Sequence, residues 1–233
     1  MYLLLCSDFL HIGLNYTKHF FKEKSLTCLF ISYALENDES YINANKQALK
    51  NSFNIEKFID LTANYTFNDK IDLIFVNGGN PNLLLERLHK YNQFKRIKEL
   101  VASGILYIGE SAGAIIAGDY QPHNLFLNIE KDMNLIKHYG NKFYDGFRFL
   151  NNFIAPHASK LKVVKLGNEF AREFYKTKSG SNKYSRYLNG IKQLKKHKYK
   201  YTTLGNNEVL LVLNNKEIKR TYNWSKFPIL EVK

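Results

Sequence analysis

Ser111 lies in Gly109-Glu110-Ser111-Ala112-Gly113, between an apolar run at 106–108 and a second apolar run at 114–117. A G-x-S-x-G pattern between a strand and a helix forces a sharp turn with the serine at its apex. The flanking glycines are needed because a side chain at either position would meet the neighbouring strand or helix. A hydroxyl displayed in this way is exposed at the positive end of a helix, and the next backbone N–H can help bind an oxyanion. Such a hydroxyl is a weak nucleophile until a base takes its proton and a third group orients that base. Of seven histidines, His157 is best placed as the base: it follows Pro156 at the end of an apolar run, downstream of the elbow. A second feature is Asn77-Gly78-Gly79-Asn80-Pro81, where Asn80 suits an N-cap and Pro81 the first helical position. Its two glycines bring bare backbone to a helix N-terminus, which suits an oxyanion hole; an ordinary strand-to-helix turn accounts for the same residues equally well.

The elements that must position these groups alternate between strand and helix. Strands are expected at 2–6, 26–33, 55–61, 71–76, 106–108 and 149–155. Helices are expected in the loop-and-helix stretch ending near residue 24, at 38–51 with Tyr41, Ala44 and Ala48 on one face, and at 81–91, 93–103, 112–118 and 160–176. Residues 208–213 and 217–221 flank Asn214-Asn215-Lys216 as a hairpin, with a last strand at 229–232. The pattern predicts an α/β fold, a mostly parallel sheet sandwiched by helices, with a C-terminal β-hairpin. The connection at 119–147 is polar and weakly periodic and carries Asp119, His123, Glu130, Asp132, His138 and Asp145. Long irregular connections of this kind are usually functional or mobile.

A length of 233 residues, with no repeat and no linker, suits a single domain, 1–233, able to bury a large core. The hydrophobic content of 45 % excludes a disordered chain. No apolar run is long enough to span a membrane, and the N-terminus lacks the basic start of a signal peptide. Cys6 and Cys28 both fall inside apolar strands and are expected to be reduced and packed, in keeping with a cytoplasmic protein. The net charge of +13 raises nucleic-acid binding, because 176–200 is basic, lacks Asp and Glu, and interleaves Tyr184, Tyr187 and Tyr199. No nucleic-acid motif accompanies the charge, so a solvated lysine-rich surface is the preferred reading.

Three stretches together resemble the peptidase S51 family, typified by dipeptidase E (aspartyl dipeptidase) and including cyanophycinase. They are 76–85 (Val-Asn-Gly-Gly-Asn-Pro-Asn-Leu-Leu-Leu), 107–116 (Tyr-Ile-Gly-Glu-Ser-Ala-Gly-Ala-Ile-Ile) and 153–157 (Phe-Ile-Ala-Pro-His), in the family's order and spacing. Residues 40–49 also look like the family's second helix, and the likeness covers most of 1–175. It implies a class I glutamine amidotransferase-like (flavodoxin-like) sheet and a Ser-His-acid relay. By position, Ser111 is the nucleophile, His157 the base, and the N–H groups of Gly79 and Ala112 the oxyanion donors. The acid lies between serine and histidine; Asp132 matches the local pattern best, Glu130 is close behind and Asp119 third. Asn77 and Pro81 depart from the family's usual glycine and threonine.

The resemblance implies a serine exopeptidase acting on short peptides, including those with N-terminal Asp, through an acyl-enzyme and without metal or cofactor. No substrate-binding residue is assigned: Lys160, Lys162, Lys165 and Arg172 are candidates for holding an acidic group, but a solvated helix face accounts for them better. Glu110 could sense a substrate's amino group, although a local cap or salt bridge is the commoner role of such a residue. Two alternatives stand beside the peptidase. One is a catalytically inactive binding module on the same fold. The other is an α/β-hydrolase esterase, disfavoured because the only histidine beyond His157 is His197, inside the basic run. Assembly is open between a monomer and a homodimer.

Overall fold

The computed structural model describes residues 1–12, 24–35, 38–119, 145–157, 183–205, 208–214 and 216–221. The strands of its main sheet are β1 (Tyr2–Cys6), β2 (Leu26–Ile31), β3 (Ile55–Asp60), β4 (Leu73–Val76), β5 (Leu106–Glu110), β8 (Glu208–Leu213) and β9 (Lys216–Thr221). They lie in the order β3-β2-β4-β5-β1-β8-β9. The first five are parallel; β8 runs antiparallel to β1, and β9 antiparallel to β8. A separate two-stranded parallel sheet pairs β6 (Phe153–Ala155) with β7 (Tyr201–Thr203).

The central strands read as unbroken apolar runs because both of their faces are covered. Along β1, Leu3 and Leu5 join one buried cluster while Leu4 and Cys6 join the other, the period of two expected of a strand. One cluster packs the sheet against α3 (Pro81–Lys90), α4 (Phe94–Ala102) and α5 (Ala112–Ala117), through Leu84, Leu88, Ile97 and Ile116. The other packs it against α1 (Phe9–Ile12) and α2 (Glu39–Ser52), through Phe9, Ala48 and Leu49. Cys6 and Cys28 are free and buried, as expected.

The helix starts are written locally. Asp38 accepts the N–H of Tyr41 at the head of α2, and Asn80 accepts those of Asn82 and Leu83 ahead of Pro81. In α2 the inward residues are Asn45, Ala48, Leu49 and Ser52, whereas Ala44 is exposed. The inward stripe thus passes through polar Asn45, which the site below explains.

One expected strand is shorter, and one helix is unexpected. Residues 149–152 are not strand: the backbone N–H groups of Phe147 and Phe149 bond the carbonyls of Ile116 and Ala117, at the end of α5, so this stretch is committed to the helix terminus. The basic segment contains a helix, α6 (Lys183–Lys196), whose few apolar residues give little periodicity in the sequence. The expected helix at 160–176 and strand at 229–232 lie outside the described residues, as does most of 119–147.

Candidate active site

Strands β4, β5 and β1 are neighbours, and the candidate residues gather at their carboxyl ends, where open α/β sheets place their sites. Asn77, Gly78 and Gly79 follow β4, Ser111 follows β5, and Ser7 follows β1.

Ser111 has φ 45° and ψ −100°, a conformation that L-residues seldom adopt and that costs roughly 1–3 kcal/mol. The turn is held from both sides. Ser111 donates its N–H to the Cys6 carbonyl at 2.9 Å, and its own carbonyl accepts from Ile115 at 2.9 Å. The glycines have separate reasons. A Cβ on Gly109 would lie 2.7 Å from the Gly113 carbonyl oxygen, and one on Gly113 would lie 2.5 Å from that of Val76. One glycine therefore lets the helix approach its own strand, and the other lets it approach the neighbouring strand. The Tyr107 hydroxyl adds a tether, donating to the Gly113 carbonyl at 2.7 Å.

His157 reaches the same point from the second sheet. Its Nε2 is 3.0 Å from Ser111 Oγ, and the serine donates when that nitrogen is unprotonated. Ser111 is half-buried and His157 exposed, so solvent and solutes reach the pair. His157 is itself in the left-handed region, with φ 61°. Its N–H donates to Ser7 Oγ at 2.9 Å, and that hydroxyl donates to the Leu204 carbonyl, also at 2.9 Å. Ser7 thus joins the end of β1 to the ends of β6 and β7. Nothing in the local sequence around Ser7 marks it except its position after a strand; its partners are 150 and 197 residues away in the chain.

The β4–α3 turn lies against the elbow. A Cβ on Gly78 would be 3.3 Å from Ser111 Cβ. Gly79 has φ 131°, and a Cβ there would lie 2.3 Å from the Ala34 carbonyl oxygen, so this position needs glycine on two counts. Gly78 is buried and its N–H is taken by Asn77 and Glu110, while Gly79 is exposed. Ala112 is the first residue of α5.

Glu110 is fully buried, which excludes the direct contact with a substrate amine considered from sequence. Its carboxylate accepts from Phe9 N–H at 3.0 Å, Tyr41 O–H at 2.7 Å, Gly78 N–H at 3.1 Å and Asn45 Nδ2 at 3.3 Å. Burial pushes its pKa up to about 7 against the lowering effect of the Phe9, Tyr41 and Gly78 donors. Burial also raises the Tyr41 phenol and the Cys6 thiol beside it. Tyr41 and Asn45 are one helical turn apart on α2, and that spacing was the available signal for their shared role.

Glu130 and Asp132, the preferred acids, lie outside the described residues. Asp119, the third candidate, follows the end of α5, with its carboxylate 3.7 Å from Arg148 Nε. Lys160, Lys162, Lys165 and Arg172 are likewise outside the described residues. Among the described residues there is no cluster of side chains able to hold a metal ion, and no helix is long and apolar enough to cross a membrane.

A mostly parallel sheet flanked by helices, with the sites at its carboxyl ends, gives the chain a class I glutamine amidotransferase-like (flavodoxin-like) α/β fold. Within that class, the model of peptidase family S51 matches residues 7–219, and the chain belongs to that family. An uncharacterized peptidase of Listeria monocytogenes is 28% identical over 160 residues, 65% of this chain and 74% of that protein. A Drosophila melanogaster protein named "Probable alpha-aspartyl dipeptidase" is 34% identical over 125 residues, 49% of this chain and 52% of its own length. The crystal structure of a Listeria monocytogenes protein provisionally named peptidase E superposes with a TM-score of 0.66 at 23% identity, covering 94% of this chain and 98% of that one.

Proposed function

We propose that this S51 peptidase is a serine exopeptidase that removes the N-terminal residue of short peptides through an acyl-enzyme, with N-terminal Asp dipeptides the first substrates to test. The observation that carries the reading is the 3.0 Å approach of His157 Nε2 to a serine held at φ 45° on an elbow. In the scheme, Ser111 Oγ attacks the scissile carbonyl carbon as its proton passes to His157 Nε2. The developing oxyanion is received by the N–H groups of Gly79 and Ala112. The imidazolium then returns the proton to the departing amine, and water repeats the sequence on the ester. Asp132 is the first candidate to orient the imidazole, Glu130 the second and Asp119 the third.

The preference for Asp is suggested by the name of the Drosophila relative and by the resemblance of 40–49, 76–85 and 107–116 to the dipeptidase E group. A dipeptide library assayed with wild type and Ser111→Ala tests the reading. The expected result is turnover by wild type, reduced by roughly a thousandfold or more in the variant, together with loss of fluorophosphonate labelling. Undiminished dipeptide hydrolysis by Ser111→Ala would overturn it.

A further inference from the structure

Glu110 is a charged group placed one residue from the nucleophile, fully buried, and matched by neutral donors alone among the described residues. A carboxylate has about four lone-pair sites, and here all four are filled. Oε1 takes Phe9 N–H and Tyr41 O–H; Oε2 takes Gly78 N–H and Asn45 Nδ2. The donors come from the start of α1, two turns of α2 and the β4–α3 turn, which are otherwise remote in sequence. Asn45 also donates to Asn77 Oδ1, and that oxygen accepts from Gly78 N–H. The backbone just before Gly79 is therefore gripped twice, and both grips lead back to the residue preceding Ser111.

The geometry points to Glu110 as a positioning residue whose carboxylate locks the Gly78-Gly79 turn against the nucleophile elbow, fixing the oxyanion donor at Gly79. The inference rests on the serine-peptidase reading of the site. A buried anion beside an oxyanion site opposes the transition state electrostatically whatever else it does, and the four donors that surround Glu110 offset part of that cost while tying the β4–α3 turn to the elbow. Among the described residues, the titratable groups facing it are Cys6 on β1, Asp8 in the β1–α1 turn and Tyr41 on α2, with no cation among them. Its raised pKa, about 7, means that a proton joins the carboxyl as pH falls through neutrality, and with all four lone-pair sites filled that proton must displace one of the donors.

The test compares wild type, Glu110→Gln and Glu110→Asp. Glutamine is isosteric but turns an N–H₂ toward two of the four donors; aspartate keeps the charge but retracts it by one methylene. Phosphonylation of Ser111 by a fluorophosphonate needs the same oxyanion donors and can be followed whether or not a peptide is turned over. Glu110→Gln is expected to be phosphonylated at least tenfold more slowly, with Glu110→Asp intermediate. On a peptide that wild type cleaves, kcat should fall in parallel while KM stays within about threefold, since the pocket is untouched. The acid limb of kcat/KM should also be shallower in Glu110→Gln, which has no carboxyl to protonate at this position. Wild-type labelling rates in Glu110→Gln, faster labelling, or an unchanged acid limb would overturn the inference. If glutamine prevents folding, wild-type labelling in Glu110→Asp overturns it instead. An unreactive wild-type chain would count against the serine reading itself, and that failure is visible before any Glu110 variant is made.

Discussion

The turn around Ser111 and the lysine-rich stretch ending in α6 both stand out in the sequence, and the fold treats them in opposite ways. At the turn, three residues are each held by something distant: Ser111 by Cys6, His157 by Ser7, Gly78 by Glu110. In α6, Leu194 is buried and Ile191 half-buried, while Lys192, Lys195 and Lys196 project into solvent. Lys198 and Lys200, just beyond it, are exposed as well. The first region has been immobilised at a cost in strain and buried polarity. The second has been anchored by one apolar stripe and left to water. Charge density marks a surface; convergence of long-range bonds on a strained residue marks a site.

That contrast can be broken by substitution. Gly113→Ala should have the largest effect on stability: its new Cβ meets the Val76 carbonyl at 2.5 Å, and forcing helix and strand apart should lower unfolding free energy by roughly 1–3 kcal/mol. Urea titration measures this, and hydrolysis should fall further than stability because Ser111 moves with the helix. Ser7→Ala should come next. It leaves the His157 N–H and the Leu204 carbonyl without their partner, at about 1 kcal/mol, and lets a histidine at φ 61° relax away from Ser111. A drop in kcat of roughly tenfold with little change in KM is expected, since the geometry of the proton transfer is what loosens. The smallest effect is assigned to Lys195→Gln with Lys196→Gln, where both stability (within about 0.5 kcal/mol) and peptide turnover should be unchanged. A large loss of turnover in that pair would mean that the basic face belongs to the site after all.

Much of the frame was readable from the chain because its causes are local. Asn80-Pro81 specifies the start of α3, and the largely apolar runs of β1, β2 and β4 fit strands covered on both faces. Asn214 at the tip of the hairpin, with φ 47°, has the turn conformation its type favours. The reading failed where tertiary contacts overrode local preference. Phe149 looks like a strand residue, yet it stacks on Phe147, their rings 5.0 Å apart, and both pack edge-on against Tyr107. Ala44 looked inward because alanine suits a helix–sheet contact, but the register of α2 instead turns Asn45 in to meet Glu110.

By itself, then, the sequence determined the alternation of strand and helix, the elbow at Ser111, the glycine turn at Gly78-Gly79 and the choice of His157 from seven histidines. These follow from short-range sterics and hydrophobic periodicity, which act within a few residues. Only the tertiary structure decided that β6 leaves the main sheet to pair with β7, that Ser7 holds the histidine backbone, and that Glu110 faces inward to four donors instead of outward to a substrate. Those outcomes depend on groups far apart in the chain meeting in a low-dielectric interior, where an unpaired polar atom is costly and a paired one becomes a fixed point of the site.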